Sequence, residues 1–137
     1  IGRIPGEVFA NAKAQIRSIS TALFTPVYFA VVGLKLDLIR QFDAVFFLGF
    51  LLFSTSLKLL GALLAGRVVK QNWTTSLNFA VALNARGGPG IVLATVALDL
   101  GLISETFFVA LVLTAIVTSL MAGYWLRFVT SRGWKLL

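Results

Sequence analysis

The chain has 137 residues, of which 58% are hydrophobic and 12% charged, with a mean hydropathy of +0.94; ordinary soluble domains are roughly 25% charged. That composition excludes a soluble globular domain, and since the 12 Gly and 3 Pro lie inside apolar stretches it also excludes disorder and collagen-like repeats. The absence of Cys and His removes disulfides, thiol and imidazole nucleophiles and zinc sites built on those residues, while the net charge of +7 points either to nucleic acid or to the anionic face of a bilayer.

A bilayer core of about 30 Å takes roughly 20 helical residues, and four apolar windows approach that length: 22–36, 44–66, 77–98 and 107–126. Ahead of the first, residues 7–21 place Val8, Ala12, Ile16, Ile19 and Leu23 at helical spacing, with Glu7, Asn11, Lys13 and Arg17 opposite. This spacing predicts an amphipathic helix at the membrane interface. Pro26 predicts a kink where the chain enters the bilayer. Ile1 opens the chain with no charged, apolar and cleavage-site sequence of a signal peptide behind it, so a larger protein with this segment at its end is expected.

Four spans sort the basic residues by side. Arg3, Lys13 and Arg17, then Arg67 and Lys70, then Arg127, Arg132 and Lys135 fall together, eight in all, whereas Lys35 and Arg40 fall opposite. The positive-inside rule therefore predicts cytoplasmic termini. Nucleic acid is not needed to explain the charge, since no folded basic face remains once the spans are in lipid.

Two basic residues escape the flanks. Lys58 lies eight residues before Gly66, about 12 Å of helix rise, far for an ammonium to snorkel. A charge near the bilayer centre costs roughly 2.5–3.5 kcal/mol on insertion scales, so Lys58 should face protein or water. Ser54, Gly61 and Ala62 share its face, and the stripe reads either as helix packing around a structurally paired lysine or as part of an ion pathway. Arg86 belongs to Asn84-Ala85-Arg86-Gly87-Gly88-Pro89-Gly90, which cannot remain a regular helix because glycine loosens the backbone and proline lacks a donor. The third span should break at Gly87, Gly88, Pro89 and Gly90, the first half-helix ending near Gly87 and Pro89 opening the second. Such breaks hold ions or charged groups at mid-membrane, although a mere kink or an interfacial turn is the plainer alternative. Lys58, Asn84 and Arg86 are the candidate ion-pathway or charge-compensating residues. All five acids, Glu7, Asp37, Asp43, Asp99 and Glu105, fall outside the spans, so the counter-charge of a buried Lys58 must come from helices beyond this sequence.

From about residue 3 to 129 the order of features resembles the C-terminal third of bacterial monovalent cation:proton antiporters of the Kef-type sodium/hydrogen exchanger family. The matching stretches are Phe24-Thr25-Pro26-Val27-Tyr28-Phe29, Val32-Gly33-Leu34-Lys35-Leu36-Asp37, Lys58-Leu59-Leu60-Gly61, Asn84-Ala85-Arg86-Gly87 and Leu98-Asp99-Leu100-Gly101-Leu102-Ile103-Ser104. The resemblance implies an all-α membrane protein with four transmembrane helices, one discontinuous, forming the second inverted repeat of an antiporter. It implies an interface-domain part over 1–43, a three-helix repeat of the transport core over 44–129 and a cytoplasmic tail over 130–137. Lys58 would match a lysine that pairs with a transport-site aspartate on an earlier helix, and the mechanism implied is alternating access. The sequence departs from the family at Gly90, where many relatives carry glutamate.

The resulting expectation is the C-terminal membrane portion of a sodium or potassium/proton antiporter of the cell inner membrane. A Kef-type potassium efflux system is the alternative, or an antiporter-fold protein turned sensor or membrane-embedded enzyme. The expected partners are monovalent cations and protons, an N-terminal membrane half carrying acidic residues, lipid, and a second copy in a homodimer. No cofactor, metal site or nucleic acid is expected.

Overall fold

A computed structural model describes residues 6–133, with side chains from residue 11 onward. Arg3, Lys135, the side chains of Glu7 and Val8 and the end of the tail, residues 134–137, lie outside the described residues. All regular structure among the described residues is helical, in the order α1 (Gly6–Leu34), α2 (Ala44–Val68), α3 (Trp73–Asn84), α4 (Gly88–Asp99) and α5 (Glu105–Ser131). Among the described residues, four segments are long and apolar enough to cross a membrane: Asn11–Leu34, Ala44–Val68, Trp73–Asp99 and Glu105–Ser131. The chain divides after Asp37 into two compact units.

The first unit holds α1, a single helix of 29 residues with Pro26 inside it. This corrects the sequence reading of two pieces, an interfacial helix over 7–21 and a short span over 22–36. Proline already has a helical φ and costs one intrahelical donor, and the flanking residues carry the helix through that loss. The apolar window over Asn11–Leu34 measures about 36 Å at 1.5 Å per residue, enough to span. It ends in a turn in which the Lys35 N–H donates to the Val31 and Val32 carbonyls at 3.2 and 3.1 Å.

In the second unit, Asp43 caps α2, its Oδ1 accepting from the Phe46 N–H at 3.0 Å. A carboxylate at this end complements both the open amides and the helix dipole. The other end of α2 closes in a Schellman turn, the Lys70 N–H donating to the Arg67 carbonyl and the Gln71 N–H to that of Gly66, both at 3.0 Å. Lys70 takes the left-handed position with φ 60°. The equivalent turn after α4 has Gly101 there, φ 67°, with the Leu102 N–H on the Ala97 carbonyl at 2.9 Å. Ser104 then caps α5, its Oγ accepting from Phe107 N–H at 3.3 Å.

Helix α5 is the centre of this unit. It carries the fully buried Phe108, Val109, Val112, Thr114, Thr118 and Val129 and packs against α2, α3 and α4, whereas α2 has no buried residue of its own. Helix α2 packs most closely on α3, through a near-contact that requires glycine: a Cβ on Gly66 would lie 2.7 Å from Ser76 Oγ and 3.3 Å from its Cα. The N-terminal part of α3 is tied to the C-terminal part of α5, where Trp125 Nε1 donates to Asn78 Oδ1 at 3.0 Å. The unsatisfied alternative inside an apolar bundle is costly, so this bond fixes which ends meet.

Candidate functional site

The Trp73–Asp99 segment is two half-helices of 12 residues each. Each measures about 18 Å, too short to cross a 30 Å core alone. The gap between them is Ala85, Arg86 and Gly87. Ala85 leaves the helix with φ −57° and ψ 131°, and Gly87 is extended with φ −91° and ψ −174°. Helix α3 thus ends at Asn84 and not near Gly87, while Gly88, Pro89 and Gly90 form the first turn of α4 instead of being unwound. Proline suits that turn, where its missing N–H has no intrahelical partner to lose.

A contact that the local sequence does not announce holds the gap open. Ser119 Oγ on α5 donates to the Arg86 carbonyl at 2.8 Å, satisfying a backbone group that no helix serves. Arg86 itself is half-buried, and its guanidinium carbon sits 5.8 Å from the centroid of the Phe50 ring on α2. Phe50 is edge-on to Phe107 with centroids 5.3 Å apart, and Phe46 joins both at 6.2 and 6.0 Å. The ring face carries the negative lobe of the quadrupole, so the aromatic cluster gives the cation a favourable seat.

Beside the gap lies a partly open pocket of about 530 Å³ that brings Lys58 of α2 together with Arg86. Its floor is Ala85, Gly87 and Gly90, its α4 wall Leu93, Ala94 and Ala97, and its α5 wall Leu111 and Ala115. No carboxylate lines it, and the described residues contain no cluster of three acids able to hold a metal ion. Lys58 is exposed among the described residues. Gly88, Pro89 and Asn84 do not line the pocket. Asn84 is buried at the end of α3, 6% exposed, and its Oδ1 has no hydrogen-bond partner among the described residues. The pocket can thus concentrate positive charge, from two side chains and from the N-terminus of α4 with its uncapped amides.

Comparison with known proteins gives the family. The family described as "Sodium/hydrogen exchanger, transmembrane" matches residues 4–132. The chain belongs to it. A yeast (Saccharomyces cerevisiae) protein named K(+)/H(+) antiporter 1 is 31% identical over 77% of this chain and 12% of its own length. GerN of Bacillus cereus, named as a Na(+)/H(+)-K(+) antiporter, is 24% identical over 86% of the chain and 31% of its own length. A Na(+)/H(+) antiporter of Enterococcus hirae is 22% identical over 95% of the chain and 33% of its own length. The chain therefore spans between an eighth and a third of these relatives. No solved structure matches it significantly. Membership and the four spanning helices make it a multi-pass membrane segment of the exchanger family.

Sequence reasoning selected Lys58 and Arg86, which share one pocket, but not Phe50 or Ser119. Ser119 is one polar residue in an α5 that also carries Thr114 and Thr118, whose hydroxyls give no sign of a long-range role; the Thr118 Oγ1 bonds back to the Thr114 carbonyl at 2.7 Å. Phe50 is one ring in an aromatic stretch, and only the chain path tells it from Phe53.

Proposed function

We propose that this segment is the C-terminal membrane portion of a sodium or potassium/proton antiporter working by alternating access. The observation that carries the reading is the pocket at the broken helix, which gathers Lys58 and Arg86 without an acid. Two cations in a low-dielectric site are costly unless a counter-charge is supplied, and a carboxylate from an N-terminal membrane half would supply it. That carboxylate would hold either a proton or a metal cation, with Lys58 Nζ as its partner when neither is bound. The exchange of charges at one site, alternately open to each side, couples the two fluxes.

The break would serve this chemistry by keeping the Arg86 backbone in a fixed, non-helical shape, with Ser119 as its positioning residue. Asn84 would supply a polar group behind the gap, and Gly87 and Gly90 a floor on which nothing bulky stands between the cations and an incoming ion. The names of the relatives, with sodium and potassium both among them, favour a monovalent cation. The eight-to-two segregation of basic flank residues supports cytoplasmic termini in a cell inner membrane. A homodimer is part of the same proposal.

Gly90 favours one second reading. It stands on the pocket floor with no atom within 4 Å of where its Cβ would be, so a family glutamate would have room there and its charge is missing. A sensor or membrane-embedded enzyme on the same fold fits that loss. Proton flux in vesicles reconstituted with the complete protein, driven by sodium and then by potassium, separates the two. Cation-dependent flux that falls at least tenfold in Lys58→Ala supports the antiporter, and absence of flux with either ion rejects it.

A further inference from the structure

The pocket at the broken helix has two unlike ends. Toward the termini, α2 is closed on α3 at Gly66 and Ser76, where a Cβ on the glycine would come within 2.7 Å of the serine hydroxyl, and α3 is tied to α5 through Asn78 and Trp125. Among the described residues none of α3 lines the pocket. Toward the other membrane face, α2 packs on α5 but makes no substantial contact with α4 among the described residues, so beyond the gap these two helices part. The lining follows that cleft: Gly90, Leu93, Ala94 and Ala97, at i, i+3, i+4 and i+7 on one side of α4, then Ile103 in the turn before α5. From Gly90 to Ala97 the rise is about 10 Å, and Ala97 stands two residues short of the end of α4. The pocket thus runs from Arg86 to the face that holds the α4–α5 turn.

Magnitudes decide what fills the cleft. A helix about 10 Å across running the roughly 15 Å from Gly87 to Ala97 would occupy roughly 1,200 Å³, more than twice the pocket's 530 Å³. An acyl chain would fit, but it would set Lys58 and Arg86 against hydrocarbon at roughly 2.5–3.5 kcal/mol each. Water, at about 30 Å³ per molecule, has room for on the order of fifteen molecules and solvates both cations. The charge along the cleft is graded as well. From Gly87 to Leu126 the chain has no basic residue, while Asp99 and Glu105 flank the turn at the outer end. A field of that sign raises the local concentration of cations at an entrance.

We propose that the cleft between α2 and α4 is the aqueous entry by which a hydrated monovalent cation reaches Arg86 from the side of the α4–α5 turn, with Gly90, Leu93 and Ala97 as its wet wall. The cargo rests on the transport reading, whereas the water in the cleft does not, and the two are measured separately.

The segment contains no cysteine, which suits a test by thiol labelling. Gly90→Cys, Leu93→Cys and Ala97→Cys are each placed in the complete protein, freed of any cysteine elsewhere and reconstituted in vesicles, and a membrane-impermeant cationic methanethiosulfonate is added to one side. The reacting species is the thiolate, which forms in water and is suppressed against hydrocarbon. Leu93→Cys and Ala97→Cys should react at least tenfold faster from the side of the α4–α5 turn than from the side of the termini. They should also react at least tenfold faster than Val92→Cys and Val96→Cys, which are 44% and 48% exposed on the same helix but outside the cleft. Sodium or potassium in place of choline should slow Gly90→Cys, the deepest position, at least twofold. No reaction within the cleft from either side would overturn the entry in favour of lipid or a helix of the N-terminal half. Equal rates at Val92→Cys and Val96→Cys would overturn it as a helix wetted all round, and faster reaction from the side of the termini would overturn its direction. Absence of protection by both ions would overturn the cation as what travels there. Labelling with protection in a protein that shows no cation-driven proton flux would uphold the entry and reject only the antiporter. If Gly90→Cys does not fold, protection is read at Leu93→Cys.

Discussion

The hydroxyl of Ser119 and the carbonyl of Arg86 meet at 2.8 Å across 33 residues of chain, and this single bond joins the gap of the broken helix to the central helix α5. A backbone carbonyl with no helical partner at membrane depth needs such a donor. Ser119→Ala should cost about 0.5–1.5 kcal/mol, measured as a modest fall in melting temperature of the complete protein. It should lower cation-driven proton flux by a larger factor than that loss implies for folding, because the carbonyl freed belongs to Arg86, whose residue lines the pocket. Flux that tracks melting alone would reduce Ser119 to a packing residue.

Gly66 and Ser76 set the separation of α2 and α3. Gly66→Ala places a methyl 2.7 Å from Ser76 Oγ and 2.9 Å from its Cβ, and since the backbone fixes that Cβ a rotamer change cannot relieve it. The helices must part, at about 1–3 kcal/mol. Gly49→Ala, on the same helix with nothing within 4 Å, should be neutral or gain up to about 1 kcal/mol from helix propensity. Thermal unfolding of the two variants in detergent gives the comparison, and Ser76→Gly should rescue the first.

Asn78 and Trp125 test the other inter-helix tie. Asn78 is 2% exposed, so Asn78→Ala leaves both a cavity and an orphaned indole N–H, costing about 1–3 kcal/mol. Trp125→Phe removes the donor and keeps most of the ring, and should cost less, nearer the roughly 0.6 kcal/mol average for hydrogen bonds inside membranes. Melting midpoints that reverse this order would show that the ring, not the bond, matters.

Why some of this arrangement could be read from residue order, and some not, follows from the range of the forces involved. Span lengths are a property of local composition, and the windows at 44–66 and 107–126 fall within α2 and α5. Proline in the first turn of α4 is likewise a local matter. Where α3 ends is not: Ala85 is a good helix former, yet it leaves the helix in a segment whose next carbonyl is claimed by Ser119. The polar face over 7–21 suggested a separate interfacial helix, but periodicity describes one side of a helix and says nothing about whether the helix stops, and α1 passes through Pro26 without ending. Phe50 needed the chain path, since rings four, seven or eight residues apart look alike until a cation stands over one of them.

Arg86 and Phe50 provide a prediction in which charge and geometry separate. The guanidinium carbon 5.8 Å from the ring centroid makes a contact worth about 0.5–2 kcal/mol, more as water is excluded. Arg86→Lys keeps the charge in the pocket but replaces a planar, weakly hydrated cation with a compact ammonium that favours water, so it should lose part of that energy. Phe50→Leu should lose a similar part, and the double variant little more than either, giving a coupling of about 0.5–1.5 kcal/mol in a double-mutant cycle of melting free energies. Were charge in the pocket all that function requires, Arg86→Lys would exchange cations at the parental rate. If the planar seat on Phe50 holds the side chain in its working position, Phe50→Leu should slow exchange with every charge in place, and the cycle measured on flux should show the same coupling as the cycle measured on stability.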